Sequence, residues 1–144
     1  MSLTGTLRGF GMILVGCLFL AGCSTDPESG AADPRAAVDA YIAGLNTSDY
    51  QSIARLAPPL NDPSADIRKR LAAYGGKDIK LTAVDIRSEI TPKAALARLD
   101  GIGKAGKYSE TLSLERKGDR WFIALGRNPN LPSDQMTAST TRPG

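Results

Sequence analysis

The sequence predicts an α+β domain, with N-terminal helices packed on one face of an antiparallel sheet of about four strands. Three observations predict it. Between Ala37 and Tyr74 the apolar residues recur three or four positions apart, the period of a helix. From Ile79 onward they alternate, and the change of period falls at Gly75-Gly76. Lys117-Gly118-Asp119 then separates the last two alternating runs as a tight hairpin turn. No internal repeat is visible.

Asp33-Pro34 reads as a helix start, a capping carboxylate followed by proline at the first helical position. Ala37, Val38, Tyr41, Ile42 and Leu45 form the buried stripe of that helix, and Asn46-Thr47-Ser48 breaks it. Ser48 and Gln51 have capping-box spacing for a short second helix carrying Tyr50, Ile53, Ala54 and Leu56. Pro58-Pro59 ends it, because the residue before a proline avoids the helical region. Asp62-Pro63-Ser64 starts a third helix, with Ile67, Leu71 and Tyr74 on one face and Gly75-Gly76 as its stop.

In the alternating half, Ile79, Leu81 and Ala83 share one parity while Val84, Ile86 and Ile90 share the other. A flip of parity inside one strand predicts a β-bulge near Ala83-Val84. Lys93 to Leu99 is a second strand, weak because it is rich in alanine. Tyr108, Leu112 and Leu114 mark a third, and Trp121, Ile123 and Leu125 a fourth.

The run from Ala37 to Tyr50, with Gly44-Leu45-Asn46-Thr47-Ser48-Asp49 after an alanine-rich helix, resembles the opening of the nuclear transport factor 2-like (cystatin-like) superfamily. Lys117-Gly118-Asp119-Arg120-Trp121-Phe122-Ile123 resembles the closing hairpin of that superfamily. The resemblance implies a curved sheet wrapping the helices, with a pocket between the two layers. Tyr41, Tyr74 and Trp121 are the aromatic candidates to line such a pocket, and core packing is the other use of such side chains.

The 144 residues are 42% hydrophobic and hold no His, which excludes Ser-His-Asp and Cys-His chemistry and any zinc site built on imidazole. No metal and no cofactor is expected. The net charge of +3 is spread along the chain and does not concentrate as a nucleic-acid partner requires.

The N-terminal segment reads as an address. No charged residue falls between Arg8 and Asp26, and Gly9 to Cys23 is an apolar run of 15 residues. A bilayer-spanning helix wants about 20, whereas a signal-peptide core wants about 7–15 behind a positive end. Leu20-Ala21-Gly22-Cys23 at its end resembles the lipobox of bacterial lipoproteins, and the whole chain looks like the small lipoproteins of actinobacterial type. That resemblance implies cleavage between Gly22 and Cys23, with an S-diacylglyceryl group and an N-acyl group, such as palmitate, on Cys23. Leu14-Val15-Gly16-Cys17 matches the same loose pattern, but cutting there leaves too short an apolar core and strands Leu18-Phe19-Leu20 on the mature chain. The expected organisation is signal peptide 1–22, flexible tether 23–33, folded domain 34–128 and a disordered tail 129–144.

Two motifs bear on chemistry. Gly101-Ile102-Gly103-Lys104-Ala105-Gly106-Lys107-Tyr108 contains G-x-G-x-x-G and nearly matches a phosphate loop. Both motifs need a following helix whose N-terminal amides hold the phosphate, and Tyr108 to Glu115 alternates as a strand instead. The expectation is a hairpin loop and no nucleotide. Cyclases and ketosteroid isomerases of the resembled superfamily use a pocket Asp with a Tyr or second acid, so Asp85 or Asp100 with Tyr41 or Tyr74 is the enzymatic option. Arg68-Lys69-Arg70 reads as a solvated face opposite Ile67 and Leu71, or as a contact for anionic headgroups. The leading expectation is a lipid-anchored, extracytoplasmic, non-catalytic module of the cell envelope that binds a partner protein or a small apolar ligand. A small cyclase-like or isomerase-like enzyme and a structural envelope spacer are the alternatives.

Overall fold

The structure is a computed structural model, and it describes residues 28–88 and 91–126. The expected signal peptide, Cys17, Cys23 and the tail 129–144 lie outside the described residues. Three helices, α1 (Pro34–Thr47), α2 (Tyr50–Ala54) and α3 (Ser64–Tyr74), precede four strands. These are β1 (Lys80–Ser88), β2 (Ala94–Gly103), β3 (Gly106–Lys117) and β4 (Arg120–Ile123). The strands form an open antiparallel sheet in chain order, so the α+β architecture is as the change of period predicts.

Helix α1 begins where Asp33 accepts the Ala36 N–H at 2.8 Å, with Pro34 inside the first turn. Its buried stripe is Ala37, Val38, Tyr41, Ile42 and Leu45. Asn46 does not break the helix. It stays helical and turns its amide to the sheet, accepting the Ile79 N–H at 2.7 Å and donating to the Ile79 carbonyl at 2.9 Å. This pair stands in for one rung of a β-ladder and ties the end of α1 to the approach of β1.

The capping box expected at Ser48 and Gln51 is corrected. Ser48 is the left-handed residue that ends α1, at φ 54°. Asp49 caps α2 instead, accepting the Ser52 N–H at 3.1 Å and the Ser52 hydroxyl at 2.6 Å. Asp62 assists α3 from one position further out than a cap, accepting the Ser64 N–H at 3.0 Å.

The bulge lies between Leu81 and Ala83, with Thr82 as the extra residue. It lets Leu81 and Val84 both face the helices although their parities differ. Successive inner-face rows then run Leu81–Gly101–Tyr108, Val84–Leu99–Glu110 and Ile86–Ala97–Leu112. Leu114 pairs with Ile123 at the far end of β3. With the stripe of α1, Ile53 and Ile67, these side chains make one continuous core. Strand β2 is longer than its alanine content suggests, because pairing on both edges replaces the propensity that it lacks.

The docked chain starts by Glu28, ahead of the expected start at Pro34. The Gly30 N–H donates to the Arg55 carbonyl at 2.8 Å, and Ala31 exchanges two backbone hydrogen bonds of 2.8 Å with Trp121. Residues 28–31 thus line the free edge of β4. Strand β4 itself ends at Ile123, and Leu125 beyond it is fully buried.

Candidate functional site

Among the described residues, Glu110 is a charged side chain on the inner face of the sheet in a row that calls for an apolar one. Glu110 lies between Tyr108 and Leu112 on the helix side of β3, and its side chain is 15% exposed. A carboxylate there requires partners. Arg70 of α3 forms an ion pair with Glu110 Oε1. Glu110 Oε2 accepts the Tyr41 hydroxyl at 2.9 Å and the Tyr108 hydroxyl at 2.6 Å. Arg70 also donates to the Tyr41 oxygen at 2.9 Å, and its guanidinium lies 5.7 Å from the centre of the Tyr41 ring. The Tyr74 ring meets that of Tyr108 edge-on, with centroids 5.0 Å apart. The cluster therefore joins α1, α3 and β3.

Burial pushes the Tyr41 phenol well above its ordinary pKa, against the opposing pull of the Arg70 cation. Burial also raises the Tyr108 phenol, with the neighbouring Tyr74 hydroxyl adding to it. Both phenols are therefore neutral donors at any physiological pH. Oε1 of Glu110 is engaged by a cation and Oε2 by two hydroxyls, so the arrangement acts as a clamp.

The structure places the candidate residues as follows. Tyr41 and Tyr74 converge on the cluster through Arg70 and Tyr108. Trp121 does not join them. It pairs with Arg116 on β3, eight residues from Tyr108 and so about 27 Å along the strand. Asp85 and Asp100 do not join them either. Both sit on the opposite face of the sheet, where Asp85 is bound to Arg87 at 2.8 Å. Arg68 and Lys69 are exposed as expected, but Arg70 turns inward, which corrects the reading of the whole basic run as a solvated face. Ile67, Arg70, Leu71 and Tyr74 have the i, i+3, i+4, i+7 spacing of a single helix face.

Sequence reasoning missed Glu110, Arg70 and Tyr108 as a group. The parity of Glu110 with Tyr108, Leu112 and Leu114 is the signal that marks it as inward-facing.

On the outer face of the sheet, Thr82, Asp100, Ile102, Lys107 and Ser109 line an open groove of about 310 Å³. Among the described residues no three potential ligands gather as a metal site, and no helix is long and apolar enough to cross a membrane. No protein-family model, curated protein or solved structure matches the chain.

Proposed function

We propose that this chain is a lipoprotein held at the outer face of the cell membrane through Cys23, and that its domain is a non-catalytic binding or accessory module of the envelope. The observation that carries the reading is the uncharged run Gly9 to Cys23, too short to span a bilayer and closed by Leu20-Ala21-Gly22-Cys23. Two or three acyl chains on one residue make attachment lasting, since each buried methylene contributes about 0.8 kcal/mol. Helices followed by a four-stranded meander, with the helices on one face, support a cystatin-like arrangement. The clamp supports binding over catalysis. The aspartates expected to act as base lie on the far face, and the carboxylate that does meet the tyrosines has both oxygens occupied.

The test is expression of the full chain in bacteria fed labelled palmitate, with the intact mass of the mature N-terminus. Label enters the native protein, and Cys23→Ala abolishes labelling and leaves an uncleaved precursor or a released chain. Label in the Cys23→Ala protein, or a native chain that starts at Met1, ends the reading. For the domain, a thermal-shift screen of small apolar compounds identifies ligands. Turnover of any of them that Glu110→Gln abolishes would replace the binding reading by an enzymatic one.

A further inference from the structure

We infer that the outer face of the sheet, which the helices leave bare, lies on an anionic lipid bilayer. The inference rests on the lipid-anchor reading and adds an orientation to it.

The first support is the path of the chain. Glu28 forms an ion pair with Arg120 at 3.2 Å, and Arg120 also donates to the Gly30 carbonyl at 2.9 Å. Gly30 packs on the ring of Phe122, so closely that a Cβ there would lie 2.8 Å from it. Phe122 pairs with Glu115 and Arg120 with Lys117, all on the outer face. The first described residues, Glu28 to Gly30, therefore lie against the β4 end of this face. Five residue steps separate Cys23 from Glu28, a reach of at most about 18 Å. The Glu28 backbone, whose side chain meets Arg120 at the edge of the outer face, is therefore within that reach of the Cys23 backbone.

The second support is charge. Among the described residues the outer face carries Lys80, Arg87, Arg98, Lys107, Lys117 and Arg120 against Asp85, Asp100, Glu115 and the Glu28 carboxylate paired with Arg120. Six cations against four carboxylates leave a net positive face that suits a negatively charged surface, and cations this close to it each strengthen the attraction. Arg68 and Lys69 belong to the helix layer, on the other side of the molecule.

The third support is a row across three strands. Lys80 pairs with Ile102 and Ile102 with Lys107, so an isoleucine is flanked by two lysines. Ile102 is 59% exposed, one of two large apolar side chains so exposed among the described residues. At a bilayer the apolar side chain enters the headgroup boundary while the lysine stems lie along it and their ammonium groups meet phosphate.

The experiment uses the full-length, lipidated protein in vesicles. A single cysteine is placed at Thr111→Cys, on the outer face, or at Ala72→Cys, on α3, and labelled with an environment-sensitive fluorophore. Cys23 does not compete, because its sulfur carries the lipid. In vesicles containing phosphatidylglycerol, an aqueous quencher reaches the Thr111→Cys label severalfold more slowly than the Ala72→Cys label. The difference shrinks in purely zwitterionic vesicles. Lys80→Glu with Lys107→Glu removes it, lowering the affinity of the face for the anionic surface by more than about tenfold. Equal quenching at both positions overturns the inference, as does protection that arises only when an acidic protein is added. Flotation with the vesicles separates the two failures. A protein that does not float sinks the anchor and the orientation together, whereas one that floats with equal quenching sinks the orientation alone.

Discussion

The inward-facing carboxylate of Glu110 determines the chemistry of the interlayer cluster. It draws Arg70 out of a basic run and orients the hydroxyls of Tyr41 and Tyr108, while burial keeps both phenols protonated. A phenol whose pKa is raised in the folded state holds its proton where the unfolded chain loses it. Its contribution to stability is therefore complete below the unfolded value near 10 and is lost as pH rises above that. Stability should be unaffected by these two groups from neutrality to about pH 10 and then fall, by up to about 1.4 kcal/mol per pH unit for each phenol. Urea unfolding from pH 8 to 11 checks this, and Tyr41→Phe with Tyr108→Phe should flatten the decline. Tyr41 and Tyr74 were legible as a pair because helical spacing puts both on buried stripes. Glu110 was equally marked by strand parity, but a charged residue in an exposed-looking run, Ser109-Glu110-Thr111, does not announce its face. The pairing of Asn46 with Ile79 left no local signal at all, since it joins residues 33 apart in the chain.

The glycine-rich turn between β2 and β3 shows why spacing alone does not identify a phosphate site. Gly101 lies against the start of β1, where a Cβ would stand 2.6 Å from the Lys80 carbonyl oxygen. Gly103 is similarly placed, 2.8 Å from the Lys77 oxygen, and Gly106 takes φ +102° to close the hairpin. All three glycines therefore answer to backbone geometry, and a strand follows them as the alternation predicts. Gly101→Ala should destabilise the domain by about 1–3 kcal/mol, because the neighbour it meets is main chain and cannot turn aside. Lys104→Ala, at the tip of the same turn, should change stability by less than about 0.5 kcal/mol. Thermal unfolding of the two variants is the check. Comparable losses from both would mean that the close approach of β1 is not what the glycine serves. The bulge was readable from the same stretch, because the apolar parity has to flip for both halves of β1 to reach the core. The full length of β2 was not, since alanine and glycine carry little strand preference of their own.

On the scale of the molecule, the stretch between Cys23, the proposed acylation site, and the first docked residue is shorter than its composition suggests. Small polar residues up to Asp33 read as tether, yet residues 28–31 dock on β4 through Gly30, Ala31 and the Arg120 guanidinium. Composition reports the absence of bulk, whereas docking here uses main-chain groups and one glycine that fits over Phe122, which composition cannot register. The consequence is mechanical. If Cys23 carries the lipid as proposed, only residues 24–27 separate it from the docked segment, which restricts the orientations of the domain above a bilayer and keeps the outer face within reach of it. Attachment and orientation then depend on different features and can be separated. Inserting ten Gly/Ser residues between Pro27 and Glu28 adds a mean reach of about 16–19 Å. Flotation with anionic vesicles should be unchanged, because the lipid is untouched. Protection of a Thr111→Cys label from an aqueous quencher should fall, because the face is presented at a lower effective concentration to the surface. The same quenching measurement on the inserted and native chains decides it, and unchanged protection would mean that the charges of the face orient the domain without help from the short connection.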